Sequence, residues 1–347
     1  MELREFNPQP ALVTKTTQIS KPRFPVFDAH NHLMPGFGGG WDQRPVGELL
    51  DVLDEAGVTH LLDLDGMWGE DVLDQHLKHF KEADPERFII FGGVNWAEWD
   101  NHGDRFGEYA AARLRAQVAR GAQGVKVWKN LGLLVKDQNG VLVRISDPRL
   151  EPIWQTAAEL NIPVTLHIAD PVAFFGPLDN TNERWEELAA NPDWQFPSPP
   201  FPPFLQIVND MVDVMARNPA TTFIGAHCGC YAEDLGWMAA AMDRCPNFNV
   251  DISERIGELG RQPYTARRFF IDYADRIMFG LDRPASVEDY RIYYRFLETD
   301  DEYFAYGPEP TPRQGRWRIY GLYLPDETLE KVYNRNAHRL ILHAPQQ

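Results

Sequence analysis

Eight short apolar segments alternate with amphipathic helical patterns along this chain, and this alternation constrains its fold more than any other feature. The apolar segments predict strands at residues 25–30, 59–64, 88–94, 124–129, 163–168, 221–227, 247–252 and 276–281. The patterns between them predict helices at residues 46–58, 69–84, 107–121 and 147–160. Strands that alternate with helices form a parallel sheet, and eight such units close into a (β/α)8 TIM barrel.

A doubly wound open sheet is the alternative, because it joins parallel strands through helices in the same way. Its nucleotide-binding members carry a GxGxxG loop after the first strand. Here the segment His30-Asn31-His32 stands at that position, and the three glycines at 38–40 lack the GxGxxG spacing. The pattern therefore favours an α/β protein built as a closed barrel.

The length of the chain predicts segments outside the barrel, because 347 residues exceed the roughly 250 of a typical barrel. We predict one barrel domain at residues 25–347, preceded by a polar N-terminal arm at residues 1–24. Residues 170–205 are predicted as a lid-like insertion after the fifth strand, and residues 286–347 as C-terminal helices. Five prolines within residues 196–204 predict a stiff, ordered loop, because proline fixes φ and removes an amide donor.

The acidic composition limits the partners of the chain. Its formal net charge of −17 argues against nucleic acid and anionic membranes, which are themselves negatively charged. No apolar run approaches the roughly 18 residues of a transmembrane helix, and the N-terminus lacks a signal-peptide pattern. Three cysteines are too few for a disulfide framework. We therefore expect a soluble, cytoplasmic protein that acts on a small molecule.

Four histidines and one aspartate fall at the ends of predicted strands, where a barrel would gather them at one mouth. His30 and His32 form an H-x-H pair, and residues i and i+2 of an extended segment point to the same side. Imidazole and carboxylate donors suit a divalent ion, most of all Zn2+, with Mn2+, Fe2+ and Ni2+ as alternatives. The predicted metal ligands are His30, His32, His167, His227 and Asp282.

The remaining histidines have no such placement, and we interpret them as surface or cap residues. They are His60, His76, His79, His102, His338 and His343. Cys228 and Cys230 lie beside His227, where a C-x-C pair could bind metal. We interpret this pair as buried helix-cap residues, because the imidazole set already suffices.

Four motifs resemble those of the amidohydrolase superfamily: FDAHNHL (27–33), LHIAD (166–170), GAHCG (225–229) and FGLDRP (279–284). The resemblance spans about residues 25–343 and is strongest to the amidohydrolase-related branch of hydrolases, lactonases and aminocarboxymuconate-semialdehyde and γ-resorcylate decarboxylases. It implies a distorted TIM barrel in which His30, His32, His167 and Asp282 occupy ligand positions. It leaves His227 as either a further ligand or the group that polarises the substrate.

The fourth strand determines the number of metal ions in the superfamily that this chain resembles, since a carboxylated lysine or a glutamate there can bridge two ions. Lys126 lies near that position, and alternation places it on the same face as Trp128 and opposite Lys129. We keep three interpretations of Lys126: a bridge between two ions, a ligand of a substrate carboxylate, or a packing residue.

Three further residues are candidates for substrate binding. Arg255 follows the seventh strand and could clamp a carboxylate, or could instead brace the loop by pairing with Glu254. Asp170 lies three residues after His167 and could orient that imidazole or contact the substrate. Trp68, near the end of the second strand, could line an apolar pocket or fill the core.

The leading functional hypothesis is a metal-dependent hydrolase that acts on a small ester, lactone or amide through a metal-activated water. A bound divalent ion lowers the pKa of its water from about 15.7 toward about 7. Asp282 would accept the proton of this water and deliver it to the leaving group. His227 would polarise the carbonyl or stabilise the developing oxyanion.

Non-oxidative decarboxylation of a small aromatic or unsaturated carboxylic acid is the alternative, with Asp282 protonating carbon as CO2 leaves. Decarboxylases of the resembled branch often carry glutamate in place of the first histidine of H-x-H, so the retained His30 and His32 favour hydrolysis. A non-catalytic binding barrel is a third reading, and the complete ligand set argues against it. A homo-oligomer is compatible with the resemblance, and the tyrosine-rich C-terminal segment is its candidate interface.

Overall fold

A single parallel sheet, with its eight strands arranged in sequence order, forms the centre of the molecule. The computed structural model describes residue 5, residues 8–307, residue 309 and residues 313–343. The strands are β1 (Val26–Asn31), β2 (Val58–Gly66), β3 (Phe88–Gly93), β4 (Val125–Val127), β5 (Val164–Leu166), β6 (Phe223–Gly225), β7 (Phe248–Asp251) and β8 (Ile277–Met278). Each observed strand overlaps the segment predicted for it.

Hydrogen bonds between β1 and the segment that follows β8 bring the two ends of the sheet together. The amide of Ala29 donates to the carbonyl oxygen of Phe279 at 3.0 Å, and the amide of Asp282 donates to that of His30 at 2.9 Å. The pairing of β1 with β2 shifts register between Asp28 and Asn31, so the barrel is irregular near its mouth. The predicted α/β fold, a distorted (β/α)8 TIM barrel, is confirmed.

Helices connect the strands and cover the outside of the barrel. The α-helices are α1 (Val46–Ala56), α2 (Glu70–His76), α3 (Trp99–His102), α4 (Phe106–Arg120), α5 (Asn130–Leu133), α6 (Glu151–Glu159), α7 (Trp185–Ala190), α8 (Phe204–Arg217), α9 (Ala226–Gly229), α10 (Leu235–Arg244), α11 (Ile256–Leu259), α12 (Pro263–Asp272), α13 (Val287–Glu298), α14 (Asp326–Glu330) and α15 (Asn336–Ile341). Short 3-10 turns lie at Trp41–Gln43, Trp96–Glu98, Gly103–Arg105, Pro148–Leu150, Val172–Phe175, Pro192–Trp194 and Ala274–Arg276. Single π-helical turns occupy Leu77–Lys81 and Lys331–Arg335.

The local signals in the sequence explain where these helices begin and end. Gly57 adopts a left-handed φ of 82° and ends α1, so Val58 already belongs to β2 rather than to the predicted helix. The side chain of Asp147 accepts a hydrogen bond from the amide of Arg149 and caps the turn that leads into α6. The predicted helix at 69–84 is divided into α2 and the π-helical turn that follows it.

The apolar interior of the barrel closes one of its two ends. Phe27 and Ile89, the second residues of β1 and β3, pack with Met278 of β8 and with Leu340 and Ile341 of α15 in one buried cluster. Because α15 covers the N-terminal ends of the strands, the opposite, C-terminal end is the one open to a ligand.

The predicted insertion at 170–205 is ordered and only partly irregular. Its proline-rich part, residues 195–203, forms no helix or strand, as predicted. The rest of the insertion carries α7 and two 3-10 turns, which the prediction of a loop did not include. Arg184 of this segment is 1% exposed and forms ion pairs with Glu187 and with Glu258 of α11, which join the insertion to the barrel.

Of the predicted arm, residue 5 and residues 8–24 are described, and residues 8–24 adopt no helix or strand. The side-chain hydroxyl of Thr17 donates to Asp301 at 2.7 Å, and the amide of Arg23 donates to Glu298 at 3.0 Å. The arm therefore lies against the segment around the end of α13. The division into arm, barrel domain and lid stays a prediction.

The structure corrects the reading of one histidine and shows that three tyrosines of the C-terminal segment are buried. His76 is completely buried rather than a surface or cap residue, because it pairs with Asp63 inside the protein. Tyr290, Tyr293 and Tyr294 of α13 are likewise buried, and all three pack around Phe279. These three tyrosines fill the core, whereas Tyr303 and Tyr323 of the same C-terminal segment are exposed, so a homo-oligomer with that segment as its interface stays a prediction.

Within the part of the chain that the structure describes, none of the helices combines the length and the apolar character needed to cross a bilayer. The cysteines Cys228, Cys230 and Cys245 are buried free thiols.

Candidate metal centre

The predicted metal ligands lie together at the C-terminal end of the barrel. His30 belongs to β1, and His32 directly follows that strand. His167 directly follows β5, and His227 lies two residues after β6. Asp282 lies four residues after β8, where its amide is bonded to β1.

Three imidazoles face the carboxylate of Asp282. The Nε2 atoms of His30 and His227 lie 3.7 Å and 3.5 Å from Asp282 Oδ2. The Nε2 atom of His32 lies 3.6 Å from Asp282 Oδ1. Donor atoms of His30, His32 and Asp282 all lie within 4.8 Å of one another, which is a spacing that one metal ion can span.

The other ring nitrogen of each of these imidazoles is bound to a buried acceptor, which assigns the proton to Nδ1. The acceptors are Asp251 Oδ2 for His30 (2.9 Å), Asp65 Oδ1 for His32 (2.6 Å) and the carbonyl oxygen of Ser253 for His227 (3.0 Å). In the neutral imidazoles the Nε2 lone pairs therefore point at a carboxylate. Electron-rich groups that converge in this way are stabilised by a cation between them, so the donor set fits a divalent metal ion.

The environment keeps two of these imidazoles in the neutral form that metals bind. Burial lowers the pKa of His30, and Lys126 lowers it further. Burial, with His167 and Arg255 nearby, lowers the pKa of His227 well below its ordinary value. His32 differs: burial acts in the lowering direction, but the hydrogen bond and charge of Asp65 raise its pKa. At His32 a bound cation would therefore take the place of a proton.

His167 lies beside this cluster rather than within it. Its ring centre is 4.4 Å from that of His227. Burial lowers the pKa of His167 to about 3, although the nearby Asp170 acts in the opposite direction. Its Nε2 atom is buried, makes no hydrogen bond, and lies 3.5 Å from Asp170 Oδ1. Among the described residues, His167 is not part of any group of three donors within 4.8 Å.

Asp170 is bound to a lysine of the fourth βα loop. Its Oδ2 atom accepts a hydrogen bond from Lys129 Nζ at 2.5 Å. Burial alone would raise the pKa of Asp170, but Lys129 and His167 hold it below its ordinary value. The carboxylate is therefore ionised between two partners, in a position to orient His167.

Lys126 projects from β4 into the centre of the barrel. It is 1% exposed, and its Nζ atom lies 3.2 Å from His30 Nε2. Burial lowers the pKa of Lys126 to about 8. Lys126 therefore lies beside His30, whereas Lys129 follows β4, outside the alternation of the strand, and bonds to Asp170 next to His167.

A comparison with protein families identifies the chain. The family model described as Amidohydrolase matches residues 27–341, which include the four motifs and all five predicted ligands. This chain belongs to the amidohydrolase family. Among the curated proteins, none is significantly similar to it in sequence.

Solved structures share the fold of this amidohydrolase-family chain. A 2,6-dihydroxybenzoate decarboxylase from Rhizobium is 15% identical, with a TM-score of 0.56 over 94% of this chain and 99% of the other. A dihydroxybenzoic acid decarboxylase from a Polaromonas species, solved with manganese and the inhibitor 2-nitroresorcinol, is 16% identical, with a TM-score of 0.54 over 94% and 97%. A TIM-barrel protein from Bordetella bronchiseptica is 15% identical, with a TM-score of 0.54 over 88% and 86%. The structural similarity to these proteins shows a common fold.

Arg255 does not form the predicted loop-bracing pair with the side chain of Glu254. Arg283 makes that ion pair and also pairs with Asp289 at 3.2 Å. Arg255 is buried, its Nη1 atom donates to the carbonyl oxygen of Glu254 at 2.8 Å, and its Nε atom has no hydrogen-bond partner. Arg255 is thus held against the backbone of Glu254, the residue after Ser253, whose carbonyl oxygen is bound to His227 in the amidohydrolase-family centre.

Two residues of the centre adopt backbone conformations that are uncommon for side-chain-bearing residues. The φ angles of His227 and Asp282 are 57° and 53°, both in the left-handed region, so the short turn α9 is not a regular right-handed helix at His227. Such conformations cost about 1–3 kcal/mol each and persist where the surroundings hold them. The amide of His227 donates to Asp251 Oδ1 at 3.1 Å, and that of Asp282 to the carbonyl oxygen of His30.

Sequence reasoning missed the carboxylates that orient the imidazoles. Asp251 is the last residue of β7, and Asp65 lies near the end of β2. Both aspartates stand at or beside the ends of predicted strands, so the signal that singled out the histidines was available for them as well. Trp68, which the sequence did single out, donates from its indole Nε1 to Asp65 Oδ1 at 3.1 Å.

Proposed function

We propose that this amidohydrolase-family chain hydrolyses a small ester, lactone or amide with the help of a bound divalent cation. The observation that carries the proposal is the arrangement of three imidazole Nε2 atoms around one carboxylate, all 3.5–3.7 Å away. The metal-binding set that we propose is His30, His32, His167, His227 and Asp282.

Zn2+ is the cation that we propose, because imidazole nitrogens with a carboxylate suit a borderline ion. Mn2+ is the first alternative, since the Polaromonas relative holds manganese. When bound, such an ion supplies Lewis acidity, which polarises a substrate oxygen and makes water more acidic.

Asp282 is the group that we propose moves the proton. Its side chain is 17% exposed, so a water or a substrate atom can reach it from the mouth of the barrel. Its oxygens lie beyond hydrogen-bonding distance of the imidazoles, which leaves them able to accept a proton from water and return it to the leaving group.

The hydrogen bond from His227 to Ser253 supports a ligand role for His227. Because Nδ1 carries the proton, the neutral ring has no Nε2 proton to donate to a carbonyl oxygen. A cationic donor must then stabilise negative charge on the substrate oxygen. Lys126, which lies beside His30, and Arg255, which is bonded to the backbone of Glu254, are the two cations that we propose for substrate binding.

Metal analysis combined with a substrate panel tests this proposal. The purified protein is expected to hold a divalent metal and to turn over at least one member of a chromogenic ester, lactone and dipeptide panel. Chelation should remove the activity, and return of the metal should restore it. A protein that cannot be loaded with any divalent metal would overturn the assignment of the centre.

Decarboxylation of a small aromatic or unsaturated acid is the second candidate, and two observations favour it. The solved relatives from Rhizobium and Polaromonas are decarboxylases of dihydroxybenzoic acids. A cavity lined by tryptophans also adjoins Lys126. In this reaction the bond from carbon to the carboxylate breaks, its electron pair stays on that carbon, and Asp282 supplies the proton. Release of CO2 with one solvent deuterium in the product would establish it in place of hydrolysis.

A further inference from the structure

Asp282, the proton carrier of the proposed mechanism, stands on a strained stretch of backbone. Its φ angle of 53° lies in the left-handed region, so the groups around it have to hold it there. Leu281, the residue directly before it, is completely buried. The partners of the amide and carbonyl groups of Leu281 therefore help to decide where the Asp282 carboxylate stands.

The amide of Leu281 is bound to a buried carboxylate. It donates to Asp28 Oδ1 at 3.0 Å, and the hydroxyl of Tyr290 donates to Asp28 Oδ2 at 2.7 Å. Asp28 and Tyr290 are both completely buried. A hydrogen bond to a carboxylate away from water is stronger than one between neutral groups, so Tyr290 fixes the direction in which this carboxylate points.

The same carboxylate also binds the H-x-H segment. Asp28 Oδ2 accepts from the side-chain amide of Asn31 at 2.8 Å, and Asn31 Oδ1 accepts from the backbone amide of His32 at 2.8 Å. Asp28 Oδ1 accepts from the backbone amide of His30 at 3.3 Å. Asp28 therefore joins the backbone that carries two predicted imidazole ligands to the backbone that carries Asp282.

The carbonyl group of Leu281 is bound by a second tyrosine. The hydroxyl of Tyr293 donates to this carbonyl oxygen at 3.4 Å and accepts from the backbone amide of Glu254 at 2.9 Å. The bond to Leu281 is long and is therefore the weaker of the two. Glu254, like Asp282, has a left-handed φ of 53°. Tyr293 thus joins the segment after β7 to the segment after β8.

Tyr290 and Tyr293 reach these groups because they lie side by side on α13, where residues three positions apart are neighbours. Tyr294 of the same helix is equally buried, but its hydroxyl donates to the carbonyl oxygen of Ala56 at the end of α1, 3.0 Å away. Two of these three hydroxyls therefore bind at Leu281 or at its acceptor, whereas the third binds α1.

We propose that Tyr290, acting through Asp28, and Tyr293 are positioning residues that fix the Asp282 carboxylate against the three imidazoles. They hold Leu281 at its amide and at its carbonyl group, and both act through the backbone. The inference rests on the proposed function for the role of Asp282 in proton transfer. The placement of Leu281 and Asp282 that it assigns to the tyrosines is testable without that reaction.

Amide hydrogen exchange of residues 279–285, measured by mass spectrometry, tests this placement without metal or substrate. Tyr290→Phe keeps the ring and removes the hydroxyl, so exchange in this segment should become about tenfold faster, because a hydrogen bond to a charged group is lost. Tyr293→Phe should accelerate it about threefold, since its bond to Leu281 is weaker. Tyr294→Phe is the matched control, because it removes a buried hydroxyl of the same helix, and it should leave this segment unchanged.

Two further measurements follow the effect into the centre. The visible absorption of the Co2+-loaded protein depends on the arrangement of the ligands, so it should change in Tyr290→Phe and stay unchanged in Tyr294→Phe. With a substrate from the panel, kcat of Tyr290→Phe should fall about tenfold at an unchanged KM, because a displaced proton carrier weakens the transition state and not the binding of substrate.

Equal hydrogen exchange of residues 279–285 in Tyr290→Phe and Tyr294→Phe would overturn the inference, since the Tyr290 hydroxyl would then contribute only to overall stability. An unchanged Co2+ spectrum together with an unchanged kcat in Tyr290→Phe would overturn it as well. Failure of the protein to bind Co2+, or to turn over any member of the panel, would instead contradict the proposed function. The difference in hydrogen exchange would then still decide whether Tyr290 holds Leu281 in place.

Discussion

Asp251 accepts a hydrogen bond from His30 Nδ1 at 2.9 Å and thereby turns the Nε2 atom of His30 toward Asp282. The second oxygen of the same carboxylate accepts from the backbone amide of His227 at 3.1 Å. One buried side chain at the end of β7 therefore holds both the imidazole of His30, from β1, and the backbone of His227, which follows β6. Burial alone would raise the pKa of Asp251, but the charge and hydrogen bond of His30 and the hydrogen bond of Ser253 keep it below its ordinary value.

Removing the charge of Asp251 should weaken metal binding. We expect Asp251→Asn to lower the affinity for the divalent ion by about 10–100-fold, the range typical of groups that orient metal-binding imidazoles. Competition with a chromogenic chelator measures this affinity. Asp272→Asn, at an exposed position of α12, is the control and should leave the affinity unchanged. Equal affinities in the two variants would show that Asp251 does not orient the ligands.

Substituting the proton carrier should abolish turnover while metal remains bound. Asp282→Asn keeps an oxygen that can bind metal but cannot accept a proton, so the rate should fall by about 10²–10⁴-fold. Metal content and rate are measured on the same preparation, which separates loss of chemistry from loss of the ion. A metal-loaded variant that turns over near the wild-type rate would remove Asp282 from the proposed mechanism.

Breaking the ion pair between Arg184 and Glu258 should destabilise the protein. Both residues are buried, and a buried charge without its partner costs about 3–5 kcal/mol. Arg184→Leu should therefore lower the free energy of unfolding, measured with urea, by about that amount. The double variant Arg184→Leu/Glu258→Leu should lose less, because it leaves no unpaired Glu258 carboxylate. A double variant less stable than the single one would contradict this explanation.

His60 should make the stability of the fold depend on pH. Burial against Phe27 and His338 lowers the pKa of His60 to about 4 in the folded chain, while the unfolded value is about 6.5. Between these values the unfolded state binds more protons, so stability should fall as the pH is lowered from about 6.5 to about 4.

The variant His60→Phe tests this pH dependence, because it keeps a ring beside Phe27 and removes the titrating group. Between pH 7.5 and pH 5, the free energy of unfolding of this variant should decrease less than that of the unsubstituted protein. The reason is that the variant lacks the one proton that the unfolded state takes up at His60. Measurements at about pH 8, where an ordinary histidine is neutral, isolate any change in packing. Parallel pH profiles for the two proteins would exclude His60 as the cause.

Much of the fold and part of the centre could be predicted from local patterns. The spacing of apolar residues identified each strand, and the H-x-H spacing placed His30 and His32 on one side. The proline-rich part of the insertion was predicted as irregular because proline fixes φ and removes an amide donor. The short helix α7 was missed, because its six residues carry too weak a pattern beside those prolines.

Other features depended on contacts between distant parts of the chain. His76 could not be recognised as buried, because its partner Asp63 lies on a different element. The pairing of Glu254 with Arg283 rather than with Arg255 depends on how the β7 and β8 loops meet. The tyrosines of α13 enter the core because they surround Phe279, which follows β8.

The sequence by itself determined the barrel and the strand ends on which His30, His32, His167, His227 and Asp282 stand, because strand periodicity and chain order are local properties. Only the tertiary structure decided which ring nitrogens face the centre, that His167 lies beside the cluster, and that three tryptophans share one cavity with Lys126. Those outcomes depend on hydrogen bonds and packing between residues far apart in the chain, such as the 221 positions between His30 and Asp251. No local pattern encodes the partner in such a contact.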